Sequence, residues 1–317
     1  MAALTMNRVL RHETILGALL VAALAVLAGQ SDRFFTGDNL LNQGRLMTEV
    51  GLLALPMTFI IVTGGIDLSV GSIFGLCAIL LGVFWQNFGM PLPVAMVAAV
   101  LVGGVAGLGN GVIITRFKVP PLIATLATLA LYRGLAEGIS QARSVRGYPD
   151  WFFQLGQYDF MGAPTQLWIL GILLAAAAFV LGFTTFGRTV YAIGANEVAA
   201  RFSGLKVDRA KLIIYGGSGL IAGIAAVIFV SRVSTTRSDM GTGLELDVIT
   251  AVVLGGTSIF GGRGTIIGTA LGLILMQALK NGLALSGVKG DGTIVVIGAV
   301  LIAAILIGNL LSRNGDG

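Results

Sequence analysis

The chain has one cysteine, Cys77, and one histidine, His12, among 317 residues. A lone thiol in an apolar run excludes a disulfide framework, and no Cys/His spacing suggests a metal cluster. Charge is also scarce: Asp, Glu, Lys and Arg together make 11% of residues, where soluble domains carry about 25%. Asp67 is the sole acidic residue between Glu49 and Glu137. No GxxxxGK[ST] phosphate loop occurs, which excludes the usual lysine-bearing nucleotide cradle. What the chain has is apolar length. Hydrophobic residues make 56% of it, with 47 glycines, and the mean hydropathy is +0.92. Repeated runs of about 20 apolar residues define membrane-crossing helices. They are far too long for the ten-residue alternation of a membrane β-barrel. The high pI, about 9.7, does not point to nucleic acid, because the basic residues are scattered through short loops.

These features predict an all-α polytopic membrane protein forming one transmembrane domain over residues 1–317. About ten crossings are expected: Ile15–Gly29, Leu46–Val62, Leu68–Trp85, Pro91–Ile114, Pro120 or Pro121 to Ile139, Gln166–Gly182, Leu212–Val230, Val248–Phe260, Thr265–Leu279 and Thr293–Leu311. The first is read as an uncleaved helix. The spans near 68–85 and 244–260 leave open a partly re-entrant path. Ten crossings put both termini on one side, which carries eleven of the 20 basic residues but five of the 15 acidic ones. The basic side is expected to be cytoplasmic. Residues 184–211 form its most basic segment.

Three stretches interrupt the apolar pattern. Thr63–Ser72 reads TGGIDLSVGS. Gly64, Gly65 and Gly71 permit a sharp corner there, and a carboxylate such as Asp67 is costly in lipid without a partner. The plain structural reading is a surface turn with Asp67 capping the next helix; a gate is the functional one. Leu254–Gly262, LGGTSIFGG, echoes it at an offset of 191, which would make a parallel internal repeat. Gly255, Gly256, Gly261 and Gly262 surround Arg263 in this second corner. Third, Asn196 is placed to cap a short helix, with Glu197 in its first turn and Gly204 at its end. Ala199, Ala200 and Phe202 supply a small apolar surface, suited to docking or to resting on lipid. Apart from Asp67, Asn110 and Glu137, the spans show few strong hydrogen-bonding groups, and no pore line emerges.

Four stretches together resemble the permease subunits of bacterial ABC importers for monosaccharides, of the ribose, xylose, arabinose and rhamnose type, including autoinducer-2 permeases. They are TGGIDLSVGS (63–72), YAIGANEVAARFSGLKVDRAK (191–211), AVVLGGTSIFGGRGTIIG (251–268) and NGL (281–283). Ala54–Ile79 leans toward the autoinducer-2 branch, although rhamnose-type permeases use similar text. The resemblance covers about residues 39–311. It implies a non-enzymatic transport subunit in the bacterial plasma (inner) membrane, with no cofactor of its own. Its partners would be a second permease, identical or paralogous, two cytoplasmic ABC ATPase domains that use ATP-Mg, and an extracytoplasmic sugar-binding protein. Asn196, Glu197, Ala199, Ala200 and Gly204 match the pattern of the ATPase-coupling loop, and Phe202 stands where relatives often have a smaller aliphatic residue. An ion-coupled secondary sugar transporter, for which Asp67 would be the intramembrane carboxylate, and a non-transporting scaffold are the alternatives.

Overall fold

The computed structural model describes residues 14–302, apart from 15, 19, 26, 28, 30, 31, 142, 289, 291 and 301. Most of the crossing expected at Thr293–Leu311, and the charges at Arg8, Arg11 and Arg313, lie outside the described residues. Among the described residues, seven helices are long and apolar enough to cross a bilayer. We number the helices α1 Gly37–Val62, α2 Val70–Gly82, α3 Leu92–Arg116, α4 Pro121–Ser140, α5 Asp150–Gln157, α6 Thr165–Phe183, α7 Thr185–Ala195, α8 Glu197–Phe202, α9 Val207–Val233, α10 Leu244–Leu254 and α11 Ile266–Leu285. A π-helical turn, Val83–Asn87, extends α2 to spanning length. A shorter apolar helix runs over Leu16–Ala25. The crossing expected from Leu46 therefore begins nine residues earlier, at Gly37, because Gln43 and Arg45 lie along a helix rather than in a loop.

α1 is the central helix, with 83% of its most apolar window inside the protein against 17% for α6. It contacts α6, α9, α10 and α11. Pro56 lies in its interior without ending it; neighbouring helices enclose this turn, as they do for helix breakers in membrane proteins generally. The most extensive packing is between α3 and α9. At that crossing a side chain on Gly107 would run into the Tyr215 carbonyl, and one on Gly219 into the Gly103 carbonyl. Glycine on both helices lets the two backbones approach, so dispersion rather than the hydrophobic effect holds the pair in lipid.

The eighth expected crossing is a half-length helix, α10. The chain leaves α9 at Ser234, whose φ is +60°, and pairs Thr235–Thr236 (β4) with Val145–Arg146 (β1). It then descends beside α2: the Met240 and Gly241 carbonyls occupy the space that side chains on Gly75 and Gly71 would need. Arg133 of α4 donates to the Ser238 and Met240 carbonyls at 2.9 and 2.8 Å. Non-helical backbone at membrane depth survives only inside protein with its polar groups satisfied, and these contacts satisfy it. The remaining two strands, Asp159–Phe160 (β2) and Ala163–Pro164 (β3), form a hairpin before α6.

Replacing Gly107 by Val should force α3 and α9 apart and cost about 1–3 kcal/mol, whereas Gly134→Ala, which meets open space, should be neutral. Thermal unfolding of the purified variants in detergent checks this; equal midpoints would refute the close-crossing account.

Candidate functional site

Two groups of residues stand out, at opposite ends of the bundle. The first lies where α1 ends. Gly64 takes φ +79°, Gly64 N donates to the Ile61 carbonyl and Gly65 N to the Ile60 carbonyl, a glycine helix stop of the Schellman kind. α10 ends identically, with Gly256 at φ +88°, Gly256 N bonded to the Val253 carbonyl and Thr257 N to the Val252 carbonyl. The equivalent caps are 192 residues apart, one residue out of register with the sequence echo.

The two corners touch through backbone. Gly262 N donates to the Val62 carbonyl at 2.8 Å. Side chains on Gly194 would strike both Val62 O and Gly262 N, and Gly261 faces Gly64 N and Gly194 O. Tyr191 Oη donates to the Gly264 carbonyl at 2.6 Å. The end of α7, the end of α1 and the Gly255–Gly264 loop thus meet at one point, immediately before α8. Gly194 is the residue sequence reasoning missed here; it sits within a quoted motif but carries no chemistry that marks it.

Asp67 lies deeper than a surface turn. It is fully buried, and its Oδ1 accepts from Ser69 N at 2.9 Å and Ser69 Oγ at 2.6 Å. Asn110 Nδ2 donates to Ser69 Oγ at 2.7 Å. Asn110 is six residues short of the end of α3, hence about 9 Å inside it. α2 begins only at Val70 and makes no side-chain cap, so Asp67 orders the break itself instead of capping a helix. The carboxylate meets neutral polar groups, and no cation reaches it among the described residues.

α8 projects from this junction. Asn196 Oδ1 accepts from Ala199 N at 2.9 Å, and Gly204, φ +80°, ends the helix. Ala200 is buried against Ile193, Val207 and Ala210 of its own chain, while Val198, Ala199 and Phe202 are exposed, Phe202 to 89%. Glu197 points inward to the chain's own bases: Arg201 at 2.8 Å and Lys211 at 2.7 Å. Arg201 also pairs with Asp208, which meets Lys118 at 3.3 Å. The outward face of α8 is therefore apolar, and its charges clamp it to α9. Phe117 and Phe260 are exposed at the same end, with Arg263.

The second group is a cavity of about 420 Å³ between α1, α9, α10 and α11. Gln43 on its wall is 19 residues before the end of α1, about 28 Å away along the axis. Glu49 pairs with Arg232 at 3.0 Å and Asp247 with Lys280 at 2.6 Å. Gln277 Nε2 donates to Gln43 Oε1 at 2.6 Å, and Gln43 Nε2 to Asn281 Oδ1 at 2.9 Å. Phe74 and Phe229 add aromatic wall. The expectation that the spans hold few polar groups beyond Asp67, Asn110 and Glu137 is corrected here. Glu49 falls in the first turn of the expected Leu46–Val62 crossing, and Asp247 and Lys280 sit just outside the expected Val248–Phe260 and Thr265–Leu279 crossings, yet all three lie inside helices and are paired across them. Among the described residues no cluster of three or more His, Cys, Asp or Glu offers a metal site.

A multi-helix membrane bundle with two glycine-capped helix ends meeting at one point, a cavity lined by both polar and apolar side chains and an exposed short helix fits a membrane transport component. Residues 39–305 match the family described as "Branched-chain amino acid transport system / permease component", and the chain belongs to that family. It is 39% identical over 308 residues to the ribose import permease protein RbsC of Escherichia coli (strain K12), covering 95% of this chain and 94% of the relative. It is 38% identical over 300 residues to the autoinducer 2 import system permease protein LsrD of Escherichia coli (strain K12), covering 93% and 91%. The chain is a permease subunit and not the ATP-hydrolysing part.

The Glu197 clamp carries a pH signature. Burial works against its charge, but hydrogen bonds from Lys211 and Arg201 outweigh it and hold the carboxyl below its ordinary value of 4.5. A depressed folded pKa stabilises above the unfolded value and is lost as pH falls through the folded one. Amide exchange across Ala199–Phe202, corrected for intrinsic rate, should stay constant from neutrality to pH 4.5 and rise below it. Glu197→Gln should loosen the same amides at neutral pH. Unchanged protection in both experiments would show that the clamp does not hold α8.

Proposed function

We propose that this chain is the membrane-spanning permease subunit of an ATP-driven, binding-protein-dependent importer for a monosaccharide or a sugar-like small molecule. Similarity over nearly the whole chain to permeases whose names specify ribose and autoinducer 2 carries the cargo reading. The family description mentions branched-chain amino acids, which makes amino-acid import the second reading. The cavity's charges favour the first, since both ion pairs are already internally satisfied.

In this reading the chain works as one domain in the bacterial inner membrane, with the α8 end and both termini cytoplasmic. Ten crossings would comprise the seven long helices, the helix over Leu16–Ala25, the half-length α10 and a final one after residue 290. The matching caps at Gly64 and Gly256 support a parallel repeat. Two permease subunits would stand over two ATPase domains, which use ATP-Mg, and a separate binding protein would deliver the cargo.

Residues 184–211 are the proposed coupling loop. The supporting observation is that an exposed apolar helix is joined through Gly194 to the end of α1 and to the loop that follows α10. A push on α8 would reach both. Of the candidate residues, the exposed Ala199 and Phe202, together with Val198, which the sequence did not single out, would meet the ATPase, whereas Asn196, Glu197, Ala200 and Gly204 would shape and anchor the helix. The gate role goes to the Gly64, Gly65, Asp67 and Gly71 corner and the Gly255, Gly256, Gly261, Gly262 and Arg263 loop.

Phe202→Ala should leave insertion intact and weaken ATPase co-purification roughly tenfold, as truncating a central interface aromatic does. Ala200→Trp should instead disturb α8 within its own chain. In proteoliposomes, uptake should require the binding protein, the ATPase and ATP. Uptake driven by an ion gradient alone, or preference for a branched-chain amino acid, would overturn the proposal.

A further inference from the structure

Resting on the sugar-import reading above, we infer that the cavity between α1, α9, α10 and α11 is a binding station for one neutral polyhydroxylated molecule, held by the amides of Gln43, Gln277 and Asn281.

The size is right for a small molecule: about 420 Å³, within the range of ligand sites, which join apolar walls to a few convergent polar groups. The polar groups form a directed chain. Gln277 donates to Gln43, and Gln43 donates to Asn281. Each amide has a carbonyl that accepts and an NH2 that donates two hydrogens. Within the chain, Gln277 spends a donor and Asn281 an acceptor. That leaves the Gln277 carbonyl and the Asn281 NH2 as uncommitted ends of opposite character. A hydroxyl both donates and accepts, so a polyol with neighbouring hydroxyls satisfies both ends. Phe74 and Phe229 pack edge to face at 5.4 Å, with Arg232 over the Phe229 ring, and form the apolar part of the same lining.

The charges argue against an ionic or zwitterionic occupant. Two basic and two acidic side chains line the cavity, and they cancel in pairs: Glu49 with Arg232, and Asp247 with Lys280. An amino acid would have to break these pairs to neutralise its own carboxylate and ammonium. Separating a buried pair leaves uncompensated charge, whereas a neutral polyol leaves both pairs closed. The pairs also tie α1 to α9 and α10 to α11, so they set the width of the site.

The test uses the reconstituted complex with its ATPase and binding protein, and a panel of sugars and sugar-like cargo: D-ribose, D-xylose, L-arabinose, L-rhamnose and autoinducer 2. Gln277→Leu and Asn281→Leu remove one end of the chain each, with ATPase co-purification as the check on assembly. Each should raise the KM for the transported compound roughly five- to tenfold, the effect of losing one hydrogen bond. A second measurement covers variants that fail to assemble. In a Cys77→Ser background, Ala284→Cys on the cavity wall should react with an impermeant maleimide. At least one panel compound should protect it, and L-leucine should not. If the wild-type complex imports no panel compound, the sugar-import reading fails. If it imports one while both Leu variants keep the wild-type KM, or if no panel compound protects Cys at position 284, or if leucine does, the cavity is not the station.

Discussion

The last carbonyls of a helix have no N–H partner within it, and a glycine cap supplies only some of them. At the end of α1 the Val62 carbonyl is met by the N–H of Gly262, from a loop 200 residues further along. The rest of the architecture depends on this bond. It ties the loop that follows α10 to the end of α1, and both helices finish in matching glycine stops. It also requires that nothing wider than hydrogen stand at position 194, where the approach to α8 passes between the two partners.

The same constraint governs the other irregular features. The turn-rich stretch between α9 and α10 makes only a few i→i−3 backbone bonds of its own, and Arg133 supplies further donors to its carbonyls. The break after α1 is ordered by Asp67, whose carboxylate binds the backbone and hydroxyl of Ser69. In each case an ionic or strongly polar side chain is used to satisfy backbone, and is kept away from lipid. Such breaks divide the bundle into segments joined by short corners. Rigid helices connected by glycine corners can tilt relative to one another with little change in their own hydrogen bonds, as alternating access requires.

The two ends of the molecule differ accordingly. At the α8 end, backbone-to-backbone contacts and a surface ion network fasten a short helix to the corners. Five charged groups share that network, and its residues are partly exposed, so each pair contributes little on its own. Its value is positional. At the opposite end the ion pairs are more enclosed and line open space, where the bundle is held apart instead of closed. Glycine brings helices together at the α3–α9 crossing, and paired charges and amides separate them around the cavity.

Apolar run length and low charge were sufficient to read the helical membrane class and, within several residues, most of the long helices. They are local properties that any bilayer imposes on any spanning segment. The short helix from Asn196 to Gly204 was legible for the same reason, since a cap residue and a stop glycine act on neighbouring backbone. The early start of α1 was not, because Gln43 and Arg45 look like loop residues until Asn281 and Asp159 are found opposite them. Glu49, in the first turn of its expected crossing, and Asp247 and Lys280, just outside theirs, likewise gave no sign of their partners; only the fold sets Arg232 183 positions from Glu49 in sequence yet 3.0 Å away in space. Asp67 stood out in the sequence as costly, but its surroundings decided whether it was a surface cap or a buried brace. Hydrophobic pattern records which segments leave water. Which polar groups meet once they have left is settled by packing between distant helices, and no periodicity along the chain encodes it.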